Sequence, residues 1–201
     1  MLNERAALRH LKRADPVLRR ILARVGPFRP NRMRDRFATL VKSIVFQQLA
    51  LKAAQTIFTR LQSLYGRGRN PTPQELLRTS QRKLRSAGLS RQKIGYLRDL
   101  ARKAADGTLA LGRLGRMRDE AVIAKLTEVK GIGRWMAEMF LIFSLGRPDV
   151  LPVDDLGLRL AIQKAYRLRK LPTSARITTM AERWRPYRSV ATWYLWQSRR
   201  V

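Results

Sequence analysis

Apolar side chains recur at the three- and four-residue spacing of a helix through most of the chain. The clearest runs are Phe37, Leu40, Val41, Ile44 and Val45, then Ala54, Ile57, Phe58, Leu61 and Tyr65. No stretch alternates apolar and polar residues for long enough to predict a sheet. The pattern therefore predicts an all-α fold of about nine or ten short helices.

Several helix ends carry local signals. Thr72, followed by Pro73 and with Glu75 three residues on, predicts a capped helix start. Gly88 predicts a helix stop, and Ser90 predicts the cap of a helix that runs to about Gly107. A further helix is expected from Asp119 to near Val129.

The charge is strongly one-sided. Lys and Arg total 43 against 14 Asp and Glu, which gives a net charge of +29 and a pI near 11.8. Self-repulsion of that size costs stability, so a polyanionic partner is expected, and nucleic acid is the natural one. The alternative explanation is an arginine-rich proteome bias.

The scarce residue types exclude several chemistries. The chain has no cysteine, so disulfides, iron–sulfur clusters and a cysteine nucleophile are excluded. With His10 as its single histidine, a histidine triad or histidine-based zinc site is not expected. No apolar run reaches the roughly 18 residues of a membrane helix, and no signal peptide is seen. We expect a soluble monomer in the cytoplasm, bacterial in type and associated with the nucleoid.

Residues 126–137 (LTEVKGIGRWMA) predict a helical hairpin. One helix ends near Val129, Gly131 and Gly133 form a tight turn, and a new helix begins at about Arg134. Amides at such a turn point outward and can bind a phosphate, while Ile132 anchors the turn in the core. An ordinary helix–helix corner is the alternative that spacing leaves open.

The longer run from Leu126 to Arg159 resembles the hairpin-plus-aspartate signature of the helix-hairpin-helix DNA glycosylases, within the 3-methyladenine DNA glycosylase II branch. Residues 44–49 (IVFQQL), 88–97 (GLSRQKIGYL) and 182–196 (ERWRPYRS…W) resemble three further segments of that branch. The resemblance implies a two-lobed helical fold without an N-terminal β domain. It implies lobes at roughly 30–145 and at 1–29 plus 146–201, with a DNA-binding cleft between them.

Two adjacent aspartates precede a predicted helix. Either could be its N-cap, and we assign the cap to Asp154. The resemblance implies that Asp155, directly before Leu156-Gly157, is the catalytic carboxylate. Cleavage of a glycosidic bond builds positive charge on the sugar, which a fixed anion stabilises. Trp135 stands where bifunctional relatives have a lysine, so no Schiff base or lyase step is expected.

The resemblance also implies a pocket for an extruded base. Trp196 is expected at its wall and Trp135 at its mouth, with Met139 at a position that is aromatic in some members. Trp184 and Trp193 are expected in the core.

Gln47 and Gln48 continue the apolar stripe of the preceding helix, so we expect buried amides that need partners. Their alternative role is to fill the gap that the flipped base leaves, and we assign Gln48 to the base pocket and Gln47 to the wedge. Leu49 is the wedge candidate.

The hairpin is also expected to bind the DNA backbone, through Lys130, Gly131, Gly133 and Arg134. As in relatives, the backbone carbonyls of Thr127, Val129 and Ile132 are expected to hold a monovalent cation, Na⁺ or K⁺, although Lys130 replaces a frequent proline. No cofactor is expected to be required.

The expected function is that of a monofunctional glycosylase that removes alkylated purines such as 3-methyladenine and 7-methylguanine from double-stranded DNA, with hypoxanthine as a further candidate substrate. The alternatives are a uracil or mismatched-thymine glycosylase on the same fold, and a non-catalytic DNA-binding module.

Overall fold

The computed structural model describes residues 2–66 and 68–200, and these residues form helices and connecting turns without strands. The α-helices are α1 (Glu4–Ala14), α2 (Pro16–Val25), α3 (Arg36–Phe46), α4 (Leu51–Ser63), α5 (Pro73–Arg78), α6 (Gln81–Ser86), α7 (Arg91–Ala105), α8 (Asp119–Thr127), α9 (Arg134–Phe143), α10 (Leu156–Ala165), α11 (Ser174–Ala181) and α12 (Arg188–Gln197). The predicted all-α fold is confirmed. None of these helices is both long enough and apolar enough to cross a membrane.

The local signals placed several helix ends correctly. Thr72 and Glu75 form the reciprocal capping box at the start of α5, and Ser90 caps α7. The prediction of nine or ten helices was too low for the described residues. Asp15 caps α2 and separates it from α1, and α5 and α6 are only six residues each. Helices this short give little periodicity to detect.

The chain forms two compact units, and the second of them is one continuous segment, Met33–Phe140. In this unit α7 packs against α3, α5 and α6. Its buried residues include Leu40, Ile44, Leu97 and Leu100, which carry the helical stripes of α3 and α7. The unit contains α3–α8 and all of α9 except its last three residues.

The first unit is discontinuous in sequence and consists of residues 1–32 and 141–201. α2 and α10 both pack against α12 around an apolar core. Trp184 and Trp193 are buried there, as predicted.

A buried carboxylate joins the two segments of the first unit. Asp15 accepts hydrogen bonds from the Tyr166 hydroxyl at 2.6 Å and from Trp184 Nε1 at 2.9 Å, besides capping α2 through the Val17 amide. Burial, together with this bond to Asp15, raises the pKa of Tyr166, so its hydroxyl remains a donor. The carboxylate therefore ties the start of the chain to the C-terminal end of α10.

Candidate functional site

Asp155, in the first unit, ends the loop before α10. Its side-chain Oδ1 accepts hydrogen bonds from the Leu158 amide at 2.6 Å and from Trp196 Nε1 at 2.8 Å. The carboxylate is half-buried. The assignment of the N-cap to Asp154 was wrong: α10 begins at Leu156, so Asp155 is the residue that caps it. Asp154 instead accepts a hydrogen bond from the Ser174 hydroxyl.

Trp196 reaches Asp155 from α12. Its indole stacks on the ring of Phe143, with centroids 5.9 Å apart and planes 21° from parallel. The Nε1–H bond and the stacked ring fix the orientation of the indole. The structure thus brings the two principal site residues of the first unit, Asp155 and Trp196, into direct contact.

Gly157 packs closely beside the same carboxylate. A Cβ at this position would lie 3.1 Å from Asp155 Oδ1 and 3.5 Å from Trp196 Cδ1. It would also lie 3.5 Å from Nη1 of Arg199, a residue that no sequence motif indicated. The absence of a side chain therefore lets the backbone of Gly157 lie close to the carboxylate, the indole and the guanidinium.

The hairpin lies in the second unit and has the predicted form. α8 ends at Thr127, Ile132 is buried, and the Gly133 carbonyl accepts the first hydrogen bond of α9 from the Ala137 amide at 3.1 Å. Gly131 has a φ of +83°, whereas a Cβ at Gly133 would meet no atom within 4 Å. Gly131 shapes the turn, and Gly133 leaves the start of α9 open to solvent.

A buried aspartate of α7 holds one side of this turn. Asp99 accepts a hydrogen bond from the Lys130 amide at 2.9 Å and forms ion pairs with Arg102 at 2.7 Å and Lys103 at 3.2 Å. Burial opposes ionisation, but these hydrogen bonds outweigh it and lower the pKa of Asp99. The carboxylate therefore stays ionised and fixes the backbone of Lys130.

Two further side chains of α7 support the neighbouring backbone. The Tyr96 ring packs against Gly131, where a Cβ would lie 2.6 Å from the ring Cγ. Lys93 Nζ donates to the carbonyls of Val45 and Gln47, each at 2.7 Å, and burial lowers the pKa of Lys93. Both residues belong to the 88–97 segment, which the resemblance had singled out without giving them a role.

The two glutamines of the turn after α3 have different environments. Gln47 is half-buried, and its Nε2 donates to the Gly131 carbonyl at 2.6 Å. Gln48 is exposed with a φ of +54°, so the expectation that it would be buried was wrong. Leu49 follows with 40% of its surface exposed. The turn presents Leu49 to solvent, whereas the Gln47 side-chain amide forms a hydrogen bond within the protein.

The first turns of α9 carry the other predicted residues. The Arg134 guanidinium pairs with Glu120, through distances of 2.5 and 3.0 Å, and with the buried Glu138 at 3.2 Å. Trp135 is 48% exposed and Met139 is half-buried, and their spacing of four residues puts them on one face of α9. The predicted pocket residues are thus divided between Trp196 in the first unit and Trp135, Met139 and Gln48 in the second.

Comparison with known proteins gives consistent matches. The profile described as HhH-GPD superfamily base excision DNA repair protein matches residues 41–186. DNA-3-methyladenine glycosylase 1 of Schizosaccharomyces pombe is 37% identical over 196 residues, which cover 96% of this chain and 86% of that protein. The solved structure of S. pombe 3-methyladenine DNA glycosylase (Mag1) in complex with abasic DNA superposes with a TM-score of 0.87, covering 98% of this chain and 97% of the other. A DNA-3-methyladenine glycosidase from Bacillus halodurans, 37% identical, superposes with a TM-score of 0.86 and covers 94% and 87%.

Proposed function

The chain belongs to the HhH-GPD superfamily of base excision DNA repair proteins, and from this membership we propose that it is a monofunctional DNA glycosylase for alkylated purines. Its substrates are 3-methyladenine and 7-methylguanine in double-stranded DNA, with hypoxanthine as a weaker one. The observation that carries the proposal is the Asp155 carboxylate bonded to the Trp196 indole. A DNA-binding clamp requires neither group.

Asp155 is the proposed catalytic residue. As the N–C bond to the base breaks, the sugar becomes a cation, and a fixed carboxylate stabilises it. The α10 N-terminus and the Trp196 N–H both bind Oδ1, so the anion is already oriented before the charge develops. The same carboxylate orients, or takes a proton from, the water that attacks the sugar.

Trp196 is the proposed base-recognition residue. A purine methylated at N3 or N7 carries a positive charge, and an electron-rich ring attracts such a cation by about 0.5–2 kcal/mol. The methylated base also leaves without being protonated, so the reaction needs no general acid. This agrees with the described hydrogen bonds of the Asp155 carboxylate, which come from a backbone amide and an indole N–H. Selectivity then comes from the lability of the lesion as much as from the fit of the pocket.

Duplexes that each carry one defined lesion test this proposal. Single-turnover release of free base should be fast for 7-methylguanine and 3-methyladenine, slower for hypoxanthine, and absent for 8-oxoguanine and for uracil opposite guanine. Trp196→Phe keeps an aromatic face but removes the bond to Asp155, so it should slow all substrates. Trp196→Ala should cause an additional loss for the cationic bases. Fast release of uracil or 8-oxoguanine, with the methylated purines retained, would assign the chain to another branch of the superfamily.

The proposed reaction ends at an abasic site. An amine is needed for a Schiff base and strand cleavage, and the position that holds it in bifunctional relatives is Trp135 here. Borohydride added during turnover should therefore trap no protein–DNA adduct, and strand breaks should appear only after alkali. A trapped covalent complex would contradict this prediction.

The proposed DNA-backbone contacts are the amides of Gly131 and Gly133 and the exposed Lys130. They act together with the net charge of +29. We do not assign a primary phosphate contact to Arg134, because its guanidinium is bound by Glu120 and Glu138. Leu49 is the proposed wedge.

An enzyme with this substrate acts on chromosomal DNA, which in a bacterial cell is the nucleoid.

The proposed hairpin cation fits the residues that surround it. α8 ends at Thr127, so the carbonyls of Thr127 and Val129 lie at or beyond its last turn, where helix carbonyls lack an intrahelical partner. The Val129 carbonyl accepts the Ile132 amide at 3.0 Å, which leaves its second lone pair for a ligand. With the Ile132 carbonyl, these oxygens would bind Na⁺ or K⁺ and tighten the turn.

A further inference from the structure

Three residues of α7 at intervals of three, Lys93, Tyr96 and Asp99, support two separate turns of the second unit. Lys93 binds the carbonyls that end α3, Tyr96 packs under Gly131, and Asp99 accepts the Lys130 amide. Side chains at this spacing lie along one side of a helix. One side of α7 therefore supports both the turn after α3 and the hairpin turn.

The Gln47 residue links the two turns directly. Its backbone carbonyl accepts Lys93 Nζ at 2.7 Å, and its side-chain Nε2 donates to the Gly131 carbonyl at 2.6 Å. Lys93, Gln47 and Gly131 thus form a continuous hydrogen-bonded chain. Without the ammonium, two carbonyls at the end of α3 would lose a charged donor, which a half-buried site replaces poorly.

The conformation of the next residue shows what this chain restrains. Gln48 has a φ of +54°, a left-handed conformation that non-glycine residues adopt rarely and at a cost. Such a conformation persists where neighbouring contacts determine the backbone. The residue before it, Gln47, is held by Lys93 at its carbonyl and by Gly131 at its side chain. Leu49 follows immediately, so its direction depends on the same restraint.

We propose that Lys93 is a positioning residue, which acts through Gln47 to lock the turn Gln47–Ala50 to the hairpin. The wedge candidate Leu49 and the phosphate-binding turn at Gly131 then engage DNA as one rigid piece. This proposal rests on the proposed function, because it gives Leu49 a task during base extrusion. Lys93 itself contacts no substrate.

The first test uses the full-length protein without DNA. Lys93→Met keeps the aliphatic stem and removes the donors. Amide hydrogen exchange should become roughly ten- to a hundredfold faster at residues 46–50 and 130–133. Asp35→Ala, which removes the cap at the other end of α3, is the control, and it should leave these amides unchanged. Lys93→Arg retains the donors and should restore part of the protection. Unchanged exchange in Lys93→Met would overturn the proposal.

The second test uses single-turnover excision of 7-methylguanine. Lys93→Met should slow excision roughly tenfold in the wild-type background but less than about twofold in a Leu49→Ala background, because both changes disable the same element. Losses that multiply would show that Lys93 serves general stability, and would overturn the proposal. If the wild-type protein releases no methylated purine, the proposed function fails, whereas the exchange experiment still decides whether Lys93 locks the two turns.

Discussion

Asp155→Asn is expected to lose nearly all excision activity while the protein stays folded. Asparagine retains an oxygen that can cap α10 and accept the Trp196 N–H, but it carries no charge. Removal of one oriented electrostatic group from an active site typically costs about 2.7–4 kcal/mol, or 10²–10³ in rate. Single-turnover release of 7-methylguanine measures the loss, and thermal denaturation should show an unchanged midpoint. Binding to lesion DNA should survive.

Two variants control this experiment. Asp154→Asn changes the adjacent aspartate, whose described partner is the Ser174 hydroxyl, and should cleave normally. Asp155→Ala removes the cap as well as the charge, so it should be inactive and also less stable by about 0.5–2 kcal/mol. Normal cleavage by Asp155→Asn with an inactive Asp154→Asn would reverse the assignment of the two aspartates.

Gly131→Ala is expected to be the most destabilising single-methyl change in the hairpin. The backbone at Gly131 has a φ of +83°, and an L residue held in this conformation loses about 1–2 kcal/mol of folding stability. The new Cβ also overlaps the Tyr96 ring, and overpacking adds about 1–3 kcal/mol. For a chain of this size each kcal/mol lowers the midpoint by roughly 2–4 °C, which a thermal melt detects.

Gly133→Ala is the matched control two residues away. Its Cβ would meet no atom within 4 Å, and its φ is not in the left-handed region, so stability should change little. Tyr96→Ala should relieve part of the Gly131→Ala defect, so the double variant should be less unstable than the sum of the two single changes. Equal melting points for the two glycine variants would contradict the close packing of Tyr96 on the turn.

The features predicted correctly from the sequence are those set by neighbours along the chain. The capping box of Thr72 and Glu75, the Ser90 cap and the hairpin turn each depend on residues within a few positions. Asp154 and Asp155 show the limit of such signals. Both are good capping residues, and only the position where α10 begins decides between them.

The other errors and omissions concern the exact end of a helix or contacts between distant residues. Gln48 continues the apolar spacing of α3, but the helix ends first and the side chain turns outward. The pairing of Arg134 with Glu120, which spans 14 residues, was not anticipated. In the sequence, nothing distinguishes Phe143 from the other apolar residues of α9, but in the structure its ring stacks on Trp196. No period or local motif encodes such pairings, because they arise when separate elements pack.

The discontinuity of the first unit has a consequence for biosynthesis. The helices α1 and α2 leave the ribosome before the other helices described here, yet the core that buries Leu11 and Leu18 is completed by residues after 140. Trp184, which binds the buried Asp15, is synthesised roughly 10–30 s later at ordinary translation rates. The intervening segment, Met33–Phe140, is complete much earlier and contains its own core. We therefore expect this middle segment to fold before the first unit, whose helices α1 and α2 expose apolar surface until α10–α12 have been synthesised.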